Sequence, residues 1–597
     1  MRRLGRIVVW MLAGTGVLAL VLVGLGVWIA AHLSPRTEHD LPKRAVLTLD
    51  LDAKFHETVD GDPLAALAGE KSYALRQVID AIDHAAGDTR VVGLFATMGH
   101  ASLGLGDVQE VRDAVGRFRR SGKPALLFAE TMGEGGSGTL DYYLASAFGQ
   151  IWLQPSGDVG LTGMMAESPF IKGTLDLLGI KAQFSGRHEY KSAIDMFTET
   201  GFTAAHRENL GRLMDSFSDQ LADGIANGRK LTPDVVRGLV GKGPFLAAEA
   251  KAAGLVDQIG YRDAAWAVIA GDGKDKDQAA EEIDIADYAA HLAEPKGIKV
   301  ALITGSGAIH RGESHHGFDS EPDFGAQTIA EALRDAVDDD GVKAILFRID
   351  SPGGSYTASD TVWHEVKRAR EAGKPVVVSM GNVAASGGYF VAMAADRIVA
   401  QPGTITGSIG VFTGKMVLDE FWKKLGVSWD EMHRGDNAAM WSANRPFSPQ
   451  AQGRIDALLD HIYADFTGKA ADGRGIAADR MDQLARGRIW TGADAKALGL
   501  VDRLGGWSEA VAAVRETAGL KPDEPVRLVD YPRPRKIWEV LAEAMAGGSV
   551  TERRQLAALL RAAAVLEPLT ARLSILAEPP GAATLRMPPL DHSGTRR

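Results

Sequence analysis

Residues 383–388 read VAASGG and lie between two apolar runs, KPVVVSMGN and YFVAMAADRIVA. That pattern predicts a small-residue turn joining a strand to a helix, with Ser386 at its apex. A serine hydroxyl becomes an effective nucleophile when an adjacent base takes its proton. A second glycine stretch, DSPGGS at 350–355, closes a buried strand and opens a helix. Glycine lets backbone amides come close to a ligand, and an oxyanion needs donors about 2.7–3.1 Å away. The Gly354 and Gly387 amides are the candidates for that role. Together these residues describe covalent acyl transfer, with the base still to be found.

Comparing the chain with itself locates the base. AKAAGLVDQIG at 250–260 returns as AKALGLVDRLG at 495–505, and GKPALLF at 122–128 returns as GKPVVVS at 373–379. Offsets of 245 and 251 residues mean two duplicated domains rather than a solenoid. With Pro155 set against Pro402, Ser386 faces Thr139, and the glycines after it face Leu140 and Asp141. GHASLG stands where the second half has its paired glycines, so the first half has lost both features. The first half instead carries Lys191 in KAQFSGRHEYKSAIDMF. The matching stretch of the second half has Ala438 or Met440 there, and no lysine between Lys424 and Lys469. The losses are complementary, so a composite Ser386–Lys191 dyad across the halves is expected. A lysine amine with its ordinary pKa of about 10.4 is protonated at neutral pH. Lys191 must therefore be buried, with Glu189 and Asp195 turned away from it.

The elements that position these residues alternate between strand and helix. IKVALITG, VKAILFRID and KPVVVSM read as buried strands, and TASDTVWHEVKRAREAG as an amphipathic helix. The first half repeats the order with RAVLTLDL, VVGLFATM, DVQEVRDAVGRFRRSG and KPALLFAE. Such alternation predicts α/β units built on largely parallel sheets. The predicted division is a first α/β repeat over 43–265, a linker or insertion over 266–296, a second repeat over 297–515, and a C-terminal helical extension with a mobile tail over 516–597.

The chain has 597 residues, a formal net charge of -11 and no cysteine. The acidic balance argues against a nucleic-acid surface, which needs clustered Lys and Arg. The missing cysteines exclude disulfides, thiolate zinc sites and cysteine nucleophiles. No cofactor or metal is called for by the chemistry. Residues 1–6 carry three arginines, and Ile7 to Ala31 then run for 25 residues without charge. A helix of that length is roughly 37 Å long, enough to cross about 30 Å of hydrocarbon. It exceeds the apolar core of a signal peptide, about 7–15 residues, and predicts an uncleaved transmembrane anchor. The flanking arginines place residues 1–6 in the cytoplasm and the bulk of the chain on the other side of the cytoplasmic membrane.

At this point the chain resembles the signal peptide peptidase A (SppA) family in its long, membrane-anchored form. DSPGGS, VAASGGYF, TGSIGVF and EYKSA carry the resemblance, which spans the anchor and both repeats. It implies that Ser386 is the nucleophile and Lys191 the general base. It further implies that Ser408, in TGSIG, orients the lysine amine; the first-half counterpart of Ser408 is Leu161. The implied fold is a tandem ClpP/crotonase-like α/β pair, and the implied assembly a homotetrameric bowl open toward the membrane. The implied substrates are peptides, namely signal peptides left after release from preproteins.

The same sequence offers other readings. GEGGSG at 133–138 matches a nucleotide-loop pattern but lies in the degenerate copy of the serine turn. His310, His315 and His316 cluster in a polar loop that suits solvation better than a metal. His433 lies in the segment equivalent to the lysine segment and offers a conventional Ser386–His433 pairing. A crotonase-like acyl-CoA enzyme would also use glycine amides, and a non-catalytic membrane scaffold would keep the fold without the dyad.

Overall fold

The computed structural model describes residues 41–57, 71–271, 279–292, 296–314 and 323–532, and the backbone of 584–586. The expected anchor at 7–31, His315, His316 and the expected helix beyond residue 550 lie outside the described residues. Among the described residues no helix is long and apolar enough to cross a membrane.

Each repeat is built on its own sheet. In the first, the strand order is Gln258–Ile259, Gln150–Leu153, Ala125–Ala129, Val91–Met98, Ala45–Asp50 and Glu281–Asp284, and every pair is parallel. Strands such as ALLFA are buried at every position. A parallel sheet covered on both faces demands such continuous apolar runs. Helix Leu105–Arg120 buries Val108, Val111, Val115 and Phe118, the spacing of one helical face.

The second sheet repeats the plan around Val342–Ser351, flanked by Ile298–Ser306 and Val376–Ala385 in parallel. Two predicted boundaries change here. The stretch 266–296 is not simply a linker: Glu281–Asp284 is an edge strand on Ala45–Asp50, and Ile285–Ala290 is a helix behind it. The second repeat also runs past 515, because Val526–Tyr531 pairs in parallel with Ile298–Ser306. Both strands are short, and a charged neighbourhood hides their few apolar residues.

A buried charge cluster ties the repeats together. Arg348, fully buried on the central strand of the second sheet, lies 2.7 Å from Glu57 and from Glu110 of the first repeat and 3.8 Å from Asp107. Its guanidinium also stands 5.0 Å from the centre of the Trp507 ring. Four residues before Ser386, the Asn382 amide exchanges hydrogen bonds with Asp107: Asn382 Nδ2 donates to the carboxylate at 2.5 Å, and the Asp107 amide donates to Asn382 Oδ1 at 3.1 Å. The strand carrying the serine is thus registered against the first repeat.

A third, mixed sheet crosses between the repeats. Lys181–Arg187 of the first runs antiparallel to Val411–Val417 of the second, from Val411↔Arg187 to Val417↔Lys181. Lys191 follows the end of one strand by four residues and Ser408 precedes the start of the other by three. Pairing these strands delivers both residues to one place.

Candidate active site

Ser386 sits between strand Val376–Ala385 and helix Gly387–Ala392, as the turn pattern predicts. Its backbone is held at φ 55° and ψ -115°, a region that non-glycine residues enter only when the surroundings hold them there. The hold comes from both sides: the Ser386 amide donates to Gly407 O at 2.8 Å, and Ser386 O accepts the Phe390 amide at 2.8 Å.

The lysine arrives from the other repeat. Lys191 Nζ lies 2.8 Å from Ser386 Oγ, and 2.9 Å from both the carbonyl oxygen and the Oγ of Ser408. Ser386 is fully enclosed, Ser408 is 1% exposed and Lys191 3%. Burial alone pushes the Lys191 amine down from 10.5 to about 7. A neutral amine has two N–H donors and one lone pair. Ser408 takes both donors, which leaves the lone pair facing the Ser386 hydroxyl. The nearby carboxylates are engaged elsewhere, as the base requires: Glu189 with Arg486 at 3.1 Å, and Asp195 with His206 and Thr203, each at 3.2 Å.

The two proposed oxyanion donors are also adjacent. A Cβ built on Gly387 would lie 3.0 Å from the Gly354 amide nitrogen and 2.6 Å from Ser359 Oγ, so the two backbones touch. The Gly387 amide opens a helix, where amides lack intrahelical acceptors. Gly354 lies in a short strand, Gly353–Ser355, rather than in the helix that follows. Asp350 fixes this loop to the nucleophile strand by accepting the Val383 amide at 2.8 Å. Burial, reinforced by Glu57, raises the Asp350 carboxyl to about 6.

Beside the glycine strand lies a peptide-width slot. Gly353–Ser355 and Val411–Val417 flank it, and the backbone of Thr584–Arg586 runs antiparallel to both within it. A cavity of about 40 Å³ is lined by Tyr190, Lys191, Ser408 and Gly487 among others.

The first repeat shows what the equivalent site becomes without these residues. Thr139, opposite Ser386, uses its hydroxyl to accept the Thr162 and Gly163 amides at 3.2 and 2.9 Å. Asp141 replaces the second glycine and fills its own site: its carboxylate accepts the Ala101 amide at 3.1 Å and meets His100 Nδ1 at 3.0 Å.

The alternative residues are elsewhere. His433 is exposed and stands 3.8 Å from Glu431, whereas Ser386 is fully buried. His310 pairs with Asp323 at 2.9 Å, and among the described residues no group of three or more His, Asp or Glu is placed to hold a metal ion. Sequence reasoning missed the segment Arg486–Ile489, which packs against both Lys191 and Ser408. The repeated AKALGLVDRLG motif begins only six residues farther on, but at its offset of 245 the segment faces Gly241-Lys242-Gly243-Pro244 and shares no residue with it, so the repeat carries no signal for it.

Comparisons with known proteins identify the family. The model of peptidase family S49 matches residues 117–275 and 368–521, one stretch in each repeat. The chain is 30% identical to the serine protease SPPA, chloroplastic, of Arabidopsis thaliana, over 92% of this chain and 80% of that protein. It is 32% identical to Protease 4 of Salmonella typhi, over 84% of this chain and 82% of that protein. Protease 4 of Haemophilus influenzae is 31% identical, over 82% of this chain and 81% of its own length. With a match in both repeats and relatives aligned over most of their length, the chain belongs to peptidase family S49 and is an SppA-type serine protease.

Proposed function

We propose that this serine endopeptidase works through a Ser386–Lys191 dyad shared between its repeats and cleaves peptides presented as an extended strand. The observation that carries the reading is the enclosed 2.8 Å contact between Lys191 Nζ and Ser386 Oγ, with no carboxylate partner for the amine among the described residues. Lys191 accepts the hydroxyl proton as Ser386 attacks the scissile carbonyl. The Gly354 and Gly387 amides receive the developing oxyanion, and the lysine then gives the proton to the leaving amine. Water hydrolyses the acyl-enzyme, and the cavity lined by Lys191 and Ser408 has room for it.

The substrate backbone takes the place of Thr584–Arg586 between Gly353–Ser355 and Val411–Val417, adding a strand to the third sheet. Backbone pairing is indifferent to side chains and suits degradation of varied peptides. The uncharged run Ile7 to Ala31 supports a single-pass anchor in the cytoplasmic membrane, with the protease on its extracytoplasmic face. Resemblance to the SppA family supports the finer reading: ClpP/crotonase-like domains, a homotetramer, and signal peptides as substrates.

The test is hydrolysis of an apolar peptide by wild type, Ser386→Ala and Lys191→Ala, each checked for folding by circular dichroism. Loss of turnover in both variants is expected. Retained turnover in Lys191→Ala would overturn the dyad.

A further inference from the structure

The segment Arg486–Ile489 contributes no reacting atom, yet it touches both halves of the base assembly. Toward the lysine, the Tyr190 amide donates to Arg486 O at 3.2 Å. A Cβ on Gly487 would fall 2.4 Å from the Lys191 amide nitrogen, and Gly487 has φ +85°, so glycine is required there twice over. The Arg488 guanidinium lies 3.5 Å over the centre of the Tyr190 ring. Toward the orienting serine, the Ser408 amide donates to Arg488 O at 2.6 Å and the Gly487 amide donates to Ile409 O at 2.8 Å. The far end is fastened to the first repeat, where the Asn209 side chain accepts the Ile489 amide at 2.8 Å and donates to Ile489 O at 2.9 Å.

Charged and titratable groups surround Lys191 from several elements. On its own segment stand His188, Glu189, Tyr190 and Asp195. Helix Ala204–Arg229 brings His206 and Glu208, the cavity wall brings Glu167, and helix Pro449–Arg474 brings Tyr463 against His188. Arg486 engages Glu189 at 3.1 Å. Glu208 accepts from Arg488 and from the Tyr190 hydroxyl, each at 3.0 Å. Arg486 and Arg488, on either side of the glycine that abuts the Lys191 backbone, therefore hold Glu189 and Glu208.

The first repeat supplies a contrast. At the offset of 245 residues, Arg486–Ile489 corresponds to Gly241-Lys242-Gly243-Pro244, which lacks both arginines. That segment still packs on Leu161, the counterpart of Ser408, since a Cβ on Gly243 would fall 2.1 Å from Leu161 O. The contact is common to both copies, while the arginines occur where there is a lysine to cover.

We infer that Arg486, Gly487 and Arg488 are positioning residues for the general base, seating Lys191 against Ser408 and closing the chamber over its amine. This rests on the dyad reading above. That reading fails if Lys191→Ala keeps its turnover, an outcome distinct from those below.

The experiment measures kcat and KM of the full chain on a peptide substrate from pH 5.5 to 10. Gly487→Ala displaces the lysine, and kcat is expected to fall about 100-fold with KM unchanged. Arg488→Ala, at a partly exposed position, opens the chamber. Its acid limb is expected to move to higher pH, and a shift of about half a pH unit from 7 lowers activity at pH 7 relative to pH 9 about twofold. Arg488→Met keeps a cover over Tyr190 and is expected to retain the wild-type limb. An Arg488→Ala profile lowered equally at every pH, or a Gly487→Ala kcat within about twofold of wild type, would overturn the inference.

Discussion

Lys191 Nζ and Ser386 Oγ are 2.8 Å apart although 195 positions and a domain boundary separate them in the chain. The contact follows from the antiparallel pairing of Lys181–Arg187 with Val411–Val417, which brings Lys191 to Ser408, and from the Ser386 amide bond to Gly407, which brings the nucleophile to the same strand end. Duplication allowed each copy to lose what the other kept.

Ser408 offers the first test. Its hydroxyl and carbonyl take both amine donors, and they bind the amine more strongly once it carries the proton from Ser386. A hydrogen bond to a charged group contributes about 1.5–3 kcal/mol. Ser408→Ala is therefore expected to lower kcat about 10- to 150-fold with little change in KM. Steady-state kinetics on a peptide substrate would show it, and a kcat equal to wild type would remove Ser408 from the mechanism.

Burial of Lys191 also makes stability depend on pH. Its amine is at about 7 in the folded chain and near 10.5 when unfolded. Between those values the unfolded chain binds more protons, so the contribution of this residue to stability rises with pH and is least favourable below 7. Lys191→Met is expected to be more stable than wild type at pH 7, with an advantage that shrinks toward pH 10. Urea unfolding at the two pH values measures this; a pH-independent difference would mean the amine is not desolvated.

Arg348 tests what holds the repeats in register. Removing one partner of a buried ion cluster leaves the remaining charges uncompensated, a cost of about 3–5 kcal/mol. Arg348→Ala would strand Glu57 and Glu110, and the urea midpoint is expected to fall accordingly. An unchanged midpoint would show that the cluster is relaxed by water or protonation.

The slot filled by Thr584–Arg586 predicts competition between the chain's own end and substrate. Removing residues 533–597 leaves both sheets whole, since the last core strand ends at Tyr531. The truncated enzyme is expected to show a lower KM for peptides, and a synthetic 580–590 peptide is expected to inhibit it competitively. An unaltered KM with no inhibition would exclude this occupancy.

Much of this was legible in the sequence because the chemistry is local in type even where it is distant in space. Ser386, Gly387 and Gly354 sit in turns whose small residues announce a close backbone approach, and Lys191 was found because Ala438 or Met440 stands opposite it. The contacts of Arg348 with Glu57 and Glu110 were not legible, since a charged residue inside a strand says nothing about partners 291 and 238 positions away. The edge strands Glu281–Asp284 and Val526–Tyr531 were missed for a related reason: each is short, and what defines it is the neighbour it pairs with. Arg488 reads as a surface arginine until the ring of Tyr190 is found beneath it.

The most direct measurement is the rate at which a fluorophosphonate probe acylates Ser386, followed against pH in wild type and Lys191→Ala. The account predicts a rate in wild type that rises through an apparent pKa near 7 and levels off, and labelling in Lys191→Ala that is slower by orders of magnitude and lacks that step. Equal labelling of the two proteins, or a wild-type rate that climbs only near pH 10, would contradict a neutral Lys191 as the base.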